Sequence, residues 1–196
     1  MGDRAPLIGA DAAIAAVAAH RAATLVAIDG LPVSGKSTLA ARLETILGAS
    51  VVSLDDFVRP EHEWRGRTGP AFPFPFIRYD EFLDTVGALS RGEPASYRPY
   101  DWDTGQLATA REIRPEGLVV IEGVSALHAR LAPLYDLRLW VESDPATTLD
   151  ASLGRGVGGW EEEWRTLFLP SVALYLETQP ATRADLVVAG RGASPS

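Results

Sequence analysis

The chain of 196 residues contains no cysteine, which excludes disulfide bonds, thiolate metal sites and cysteine nucleophiles. Its three histidines, His20, His62 and His128, do not have the spacing of metal ligands. No apolar run approaches the roughly 18 residues that a membrane span requires. We expect the alanine-rich stretch within residues 1–22 to form an amphipathic first helix rather than a signal peptide. These absences favour a cytoplasmic protein without membrane contact.

Lysine is nearly absent, because Lys36 is the only lysine among the 18 basic residues. Guanine-specific GTPases read the base through an Asn-Lys-x-Asp motif, which this chain cannot contain. A GTPase is therefore excluded, and ATP is expected rather than GTP. The net charge of −8 argues against a nucleic-acid partner, since neutralising phosphates requires clustered basic side chains.

Short apolar runs alternate with segments of helical spacing along the chain. This alternation predicts an α/β fold in which a five-stranded parallel sheet has helices on both faces, as a single doubly wound domain over residues 1–190. We expect residues 191–196 to form a disordered tail. The predicted strands are residues 24–29, 51–54, 117–121, 137–141 and 185–188, and the predicted helices are 37–47, 78–91, 125–131, 145–153 and 160–177, the last kinked or divided at Pro170.

The segment Gly30-Leu-Pro-Val-Ser-Gly-Lys-Ser37 matches the P-loop pattern G-x-x-x-x-G-K-[ST] and lies between a predicted strand and a predicted helix. Glycines allow the backbone to turn tightly and approach phosphate oxygens, while consecutive amides at a helix N-terminus bind anions. Lys36 is expected to reach the β- and γ-phosphates. The alternative is a glycine turn that caps an ordinary helix. The predicted nucleotide-binding residues are Gly30, Val33, Ser34, Gly35, Lys36, Ser37 and Thr38.

Three predicted strands end in acidic residues, at the edge where doubly wound sheets bind their ligands. Asp55 is a candidate general base or Mg²⁺ ligand, the alternative being a turn carboxylate. Glu122 is a candidate metal-side or substrate-side acid, the alternative being an exposed charge at a strand end. Asp29 lies so close to the P-loop that we expect a structural role.

Two irregular segments carry further candidates. Residues 154–164 are a candidate lid, in which Arg155 could reach the transferring phosphoryl group or remain a solvated loop residue. The cluster Tyr-Arg-Pro-Tyr-Asp-Trp lines a substrate pocket or packs around its own proline. The spacing of Trp160 and Trp164 favours core packing over a site. The predicted substrate residues are Asp55, Phe57, Arg59, Tyr100, Asp101, Trp102 and Glu122.

The motifs IDGLPVSGKSTLA, SLDDFVR, RPYDWD, VVIEGV and LWVESDP, in this order, resemble uridine kinase/phosphoribulokinase-type P-loop kinases over roughly residues 24–188. The segment from Trp164 through ATRADLVV is similar to bacterial members called uridine kinase-like. The resemblance implies the nucleotide-kinase fold, ATP with Mg²⁺, and phosphoryl transfer to a hydroxyl. It implies Asp55 as the base, Ser37 near Mg²⁺, Glu122 near the metal or the substrate, and Arg155 in the lid.

The chain departs from that family's pattern at three places. Val58 stands where uridine kinases usually have tyrosine, Gly105 or Gln106 stands where they have histidine, and the lid retains Arg155 alone. We therefore expect a small-molecule acceptor, nucleoside-like or another metabolite, without assigning uridine. The alternative is a non-catalytic regulatory protein that binds nucleotide. The oligomeric state stays open.

Overall fold

The computed structural model describes residues 6–20, 22, 24–144 and 158–193. The described strands, in chain order, are β1 (Leu7–Ile8), β2 (Leu25–Gly30), β3 (Ser50–Ser53), β4 (Ala95–Tyr97), β5 (Tyr100–Asp101), β6 (Gln106–Leu107), β7 (Arg111–Ile113), β8 (Val119–Glu122), β9 (Leu137–Glu142) and β10 (Leu186–Ala189).

The described helices are α1 (Ala10–Ala19), α2 (Lys36–Leu47), α3 (Glu61–Trp64), α4 (Tyr79–Ser90), α5 (Glu161–Glu163) and α6 (Leu169–Leu176). A π-helical stretch, Trp164–Phe168, joins α5 to α6, and 3₁₀ turns occur at Leu54–Phe57, Ala132–Leu134, Gly158–Trp160 and Pro180–Arg183. Within the described ranges, none of these helices has the length and apolar character needed to cross a bilayer.

Six strands form the main sheet in the order β1-β10-β9-β2-β8-β3, and every pairing is parallel. The predicted α/β architecture with a parallel sheet is confirmed, but the count of five strands was wrong. The sixth strand is β1, in which Leu7 and Ile8 pair with Val187 and Val188. A two-residue edge strand shows no periodicity, and we had included it in the N-terminal helix.

Helices cover both faces of the sheet because its strands are apolar on both sides. On one face, Val26 and Ile28 of β2 pack with Ile14 of α1 and Leu43 of α2. On the other face, Ala27 of β2 belongs to a core that includes α4. The parallel β2, β3 and β8 therefore end at one edge, where they position the site.

Residues 125–131 form turns instead of the predicted helix. The backbone N–H groups of Ser125 and Leu127 donate to the Asp29 carboxylate, at 3.1 and 2.8 Å. These two hydrogen bonds to the buried Asp29 hold residues 125–131 close to β2. The prediction of a helix at 145–153 lies outside the described residues.

Other segments between the main strands also contain short elements. Residues 95–113 contain two antiparallel pairs, β4 with β7 and β5 with β6. The proline-rich stretch after Phe57 includes the short α3. Near Pro170 the helix changes from π to α, as expected where proline supplies no backbone N–H.

Candidate active site

The P-loop, residues 30–37, connects the end of β2 to the start of α2. Gly30 has φ +151°, and a Cβ atom there would lie 2.5 Å from the carbonyl oxygen of Val141. Gly35, which precedes α2, has φ +112°. Glycine adopts such positive φ values without strain, and at Gly30 it also avoids the clash that a Cβ atom would make with Val141. Val33 also adopts a positive φ of 57°, so this loop keeps an unusual backbone of the kind that forms anion-binding nests.

Lys36 is nearly buried, with 6% of its surface exposed. Its ammonium donates to the carbonyl oxygen of Leu31 at 2.8 Å, within the P-loop itself. The positive charge of Lys36 is therefore held against the P-loop and away from bulk water. Ser34 is fully buried in the same loop, while Ser37 and Thr38 are exposed at the first turn of α2.

Glu122, the last residue of β8, links the strand ends to the P-loop. Its Oε1 accepts from the Ser53 hydroxyl at 2.6 Å, and its Oε2 accepts from the Ser37 hydroxyl at 3.3 Å. Burial and the nearby negative charge of Asp55 raise the pKa of Glu122 above its ordinary value, although Ser53, Lys36 and Ser37 oppose the shift. A buried carboxylate held by two hydroxyls is suited to receive a cation.

Asp55 and Asp56 follow β3 but have different surroundings. Asp55 is exposed and lines the cavity that the P-loop also lines. Asp56 accepts from the Tyr97 hydroxyl at 2.8 Å and pairs with Arg111 at 3.6 Å. Of these two neighbouring acids, Asp55 lines the cavity, whereas Asp56 is held by Tyr97 and Arg111.

One cavity of about 550 Å³ is lined by residues of the P-loop and of the strand ends. Of the candidate site residues, the cavity is lined by Val33, Gly35, Lys36, Ser37, Thr38, Asp55, Trp102 and Glu122.

Asp29 is fully buried next to the P-loop and does not line this cavity. It accepts from the Gly30 backbone N–H at 2.6 Å and from the Tyr175 hydroxyl at 2.5 Å. Burial raises the pKa of Asp29 despite these hydrogen bonds.

Two candidates near Asp55 do not line the cavity, which corrects the expectation from sequence. Phe57 is fully buried, with its ring centroid 4.5 Å from that of Tyr97. Arg59 contacts Glu63 on α3, at 3.5 Å. Asp55 and Phe57 lie in the 3₁₀ turn Leu54–Phe57, in which side chains two positions apart point in different directions, so Asp55 is exposed while Phe57 enters the core.

Tyr100 and Asp101 also lie away from the cavity wall, another correction. Tyr100 is buried and packs edge-on against Trp102, 5.0 Å between ring centroids. Asp101 accepts from the backbone N–H groups of Asp103 and Thr104 at 2.9 and 3.3 Å, and so fixes its own turn. Their packing supports Trp102, which does line the cavity.

Trp160 and Trp164 pack against the buried cluster of Trp64, Leu167 and Phe168, and both also line the cavity. They belong to a set we call the aromatic wall. Helical spacing predicted that the two tryptophans share a face but not what that face meets. The alternating aromatics of Phe-Pro-Phe-Pro-Phe, within a loop, were an available signal for two other members. The aromatic wall consists of Phe74, Phe76, Trp102, Trp160, Trp164 and Phe168.

Arg191 is a further cavity residue that sequence reasoning missed, since we had placed it in the tail. Its backbone N–H donates to the Ser34 carbonyl at 2.9 Å, and its Nε donates to the Val33 carbonyl at 3.2 Å. These bonds attach the end of β10 to the P-loop. Arg155 and the other residues of the candidate lid from 154 to 157 lie outside the described residues.

The residues present fit a bound Mg²⁺–nucleotide. Ser37 and Glu122 offer the hard oxygen ligands that Mg²⁺ prefers, and Asp55 borders the same cavity. In the described part of the chain no group of three or more acidic or histidine side chains could hold a metal ion.

Comparisons with known proteins agree with this architecture, although no family model matches the chain. The chain is 30% identical to a phosphoribulokinase of Synechocystis sp. over 132 residues, 65% of this chain and 38% of that protein. It is 24% identical to uridine-cytidine kinase D of Dictyostelium discoideum over 125 residues, 63% of this chain and 24% of that protein. It thus spans less than two-fifths of the length of these relatives.

The fold resembles the solved structure of a possible uridine kinase from Bacillus stearothermophilus, with a TM-score of 0.69 and 22% sequence identity, over 91% of this chain and 96% of that one. The two kinase relatives, together with the shared fold, support a uridine kinase/phosphoribulokinase-type P-loop kinase. Of the positions that depart from the family pattern, Val58 lines the cavity, and the P-loop itself is complete.

Proposed function

We propose that this protein transfers the γ-phosphoryl group of ATP to a hydroxyl group of a small molecule. The observation that carries the proposal is that Asp55 and the P-loop residues Lys36 and Ser37 line one cavity. A donor site and a carboxylate able to activate an acceptor thus share one enclosed space. The kinase relatives support the same reaction type.

The P-loop amides and Lys36 bind the triphosphate and stabilise the negative charge on its β- and γ-phosphates during transfer. For this role the Lys36 ammonium exchanges its bond to the Leu31 carbonyl for bonds to phosphate oxygens. Ser37 and Glu122 are the residues that would hold Mg²⁺, and a bound Mg²⁺ neutralises charge on the phosphates. Arg155 in the candidate lid remains a proposed contact to the transferring group.

Asp55 acts as the general base. Its carboxylate accepts the proton of the acceptor hydroxyl as that oxygen forms a bond to the γ-phosphorus, and the bond from phosphorus to the β,γ-bridging oxygen breaks to release ADP. The exposure of Asp55 within the cavity supports this assignment. The burial of Glu122 and its bond to Ser37 support the metal-side role instead.

A purely regulatory nucleotide-binding protein is less well supported. Such a protein would need the P-loop but not a carboxylate in the same cavity as the loop. It would also have no need of a large apolar space beside the phosphate site.

The proposal is tested with purified protein, ATP and Mg²⁺ against a broad panel of hydroxyl compounds. ADP release and the phosphorylated product, detected by mass spectrometry, are the two readouts. We expect acceptor-dependent turnover that Lys36→Met abolishes. Arg42→Met, which removes an exposed cation from the same helix, is the control and should keep the activity. ATP binding without any acceptor-dependent turnover across the panel would contradict the proposal.

A further inference from the structure

The cavity has two chemically different halves. One half consists of the P-loop, Asp55 and Glu122. The other group of lining residues is the aromatic wall, whose members come from three separate segments: the loop before α4, the turn between β5 and β6, and the stretch from Trp160 to Phe168. Six aromatic side chains from distant parts of the chain thus line the same cavity as the P-loop.

The rings of the aromatic wall contact one another continuously. The centroids of Phe76 and Phe168 are 4.5 Å apart, and those of Trp160 and Phe168 are 5.8 Å apart. Trp102 extends the surface, 5.5 Å from Trp160, and 57% of it remains exposed. A tryptophan so exposed in a cavity offers its ring face to a ligand, because aromatic rings stack or meet edge-to-face at such distances.

The positive charges of the described cavity lining lie on the other side. They belong to Lys36 and Arg191, and both bond to carbonyl groups of the P-loop. Both are therefore in position for the triphosphate of the donor. The described part of the aromatic half offers no cation to an acceptor that carries a phosphate or carboxylate.

The acid on the aromatic side, Glu61, already has partners. It accepts from the Arg65 guanidinium at 2.9 Å and from the indole N–H of Trp160 at 3.1 Å. Arg65 also donates to Glu163 and to the Gly159 carbonyl, each at 2.6 Å. Glu61 thus positions Trp160, and Arg65 compensates its charge.

A polyhydroxylated acceptor would fit this surface poorly. Each hydroxyl that meets an aromatic ring loses its hydrogen bonds to water without replacement, which costs roughly tenfold or more in affinity. A flat apolar group binds favourably to the same surface, because binding removes its apolar area from contact with water. The aromatic wall therefore favours acceptors that have few polar groups besides the reacting hydroxyl.

We propose that the acceptor is an uncharged alcohol with few polar groups besides the reacting hydroxyl, whose bulk is a hydrocarbon aromatic ring or a comparably flat apolar group. Its hydroxyl lies at Asp55 and its ring lies against Trp102, Trp160 and Phe168. This inference rests on the proposed function for the phosphoryl transfer itself. The class of ligand rests separately on the composition of the wall.

Binding and transfer are measured separately on four probes: 2-phenylethanol, 2-(2-naphthyl)ethanol, uridine and glucose 6-phosphate. Calorimetry in the presence of a non-hydrolysable ATP analogue and Mg²⁺ gives the Kd values, and ADP release with ATP gives turnover. We expect the naphthyl alcohol to bind at least about tenfold more tightly than uridine or glucose 6-phosphate. Tighter binding of either polar probe, or equally weak binding of all four, would overturn the inference.

A matched pair of variants locates the binding surface. Trp102→Ser removes a cavity ring, and Ile46→Ser removes an apolar side chain of similar exposure, 55%, on α2 away from the cavity. Trp102→Ser should weaken naphthyl alcohol binding about fivefold or more, because the apolar contact area is lost, whereas Ile46→Ser should leave it unchanged. Equal Kd values for the two variants would overturn the inference.

The outcomes separate this inference from the proposed function. Aromatic alcohols that bind but release no ADP would contradict the kinase assignment and support the ligand class. Preferential transfer to uridine or glucose 6-phosphate would support the kinase assignment and overturn the ligand class.

Discussion

Ser37 donates a hydrogen bond to Glu122 across 3.3 Å, which joins the first turn of α2 to the end of β8. Glu122 is almost completely buried there, together with a second hydroxyl partner, Ser53. A buried acid of this kind destabilises the empty protein but favours a bound cation. Function and stability therefore make opposite demands on Glu122.

We predict that Glu122→Gln stabilises the metal-free protein at neutral pH by about 0.5–2 kcal/mol. The pKa of Glu122 is raised above its ordinary value of 4.5 by burial and by Asp55, so the folded state binds more protons than the unfolded state. Stability must then fall as the pH rises from about 4.5 through the folded pKa. Glutamine does not ionise, and its amide can still bond both serines.

Urea unfolding between pH 4 and pH 8 measures this effect. The wild type should lose stability relative to Glu122→Gln as the pH rises, and the difference should shrink when Mg²⁺ and ATP are added to the wild type. Glu177→Gln, at an exposed position, is the control. A variant less stable than the wild type at pH 7 would contradict the prediction.

A second prediction concerns Asp29, which accepts from Tyr175, Gly30, Ser125 and Leu127. Asp29→Asn replaces an acceptor oxygen with an N–H₂ group that cannot accept these bonds, so a buried donor loses its partner. We expect a loss of about 1–3 kcal/mol in the free energy of unfolding.

Thermal and urea unfolding of Asp29→Asn, compared with the exposed Asp84→Asn, measure that loss. Nucleotide affinity is a second readout, because Asp29 holds the residue that opens the P-loop. Unchanged stability and affinity in Asp29→Asn would show that the hydrogen-bond network is dispensable.

A third prediction concerns Arg191, which attaches the end of β10 to the P-loop. Arg191→Met removes the guanidinium bond to Val33 and a positive charge beside the cavity. Because this side chain is exposed, we expect a moderate increase of about two- to fivefold in the Kd for ATP. Arg67→Met, an exposed arginine outside the cavity lining, should leave the Kd unchanged in the same calorimetric titration. Identical values for the two variants would remove Arg191 from the nucleotide site.

The sequence allowed prediction of features that local chemistry determines. The P-loop and its flanking strand and helix follow from adjacent residues, and the strand ends brought Glu122 to the expected edge. The turns at 125–131 could not be predicted, since they depend on bonds to Asp29, about 96 positions earlier. The face of a helix that meets a cavity is likewise set by distant packing, so the spacing of Trp160 and Trp164 did not reveal that both line the cavity.

The same reason limits prediction of the acceptor site. Phe57 and Asp55 are two positions apart in one motif, yet one enters the core and the other lines the cavity. The edge strand at Leu7 is too short to leave a pattern, and its pairing partner lies at the other end of the chain. Donor recognition is local in sequence, whereas the acceptor surface is assembled from three separate segments.

The most direct test of the account compares Asp55→Asn with Asp56→Asn in the acceptor-dependent ADP assay. The two substitutions are chemically identical and adjacent, but Asp55 lines the cavity while Asp56 bonds Tyr97. Loss of a general base should reduce turnover about 100-fold or more in Asp55→Asn, with ATP affinity largely retained, and Asp56→Asn should stay close to the wild type. Full phosphoryl transfer by Asp55→Asn would contradict the account.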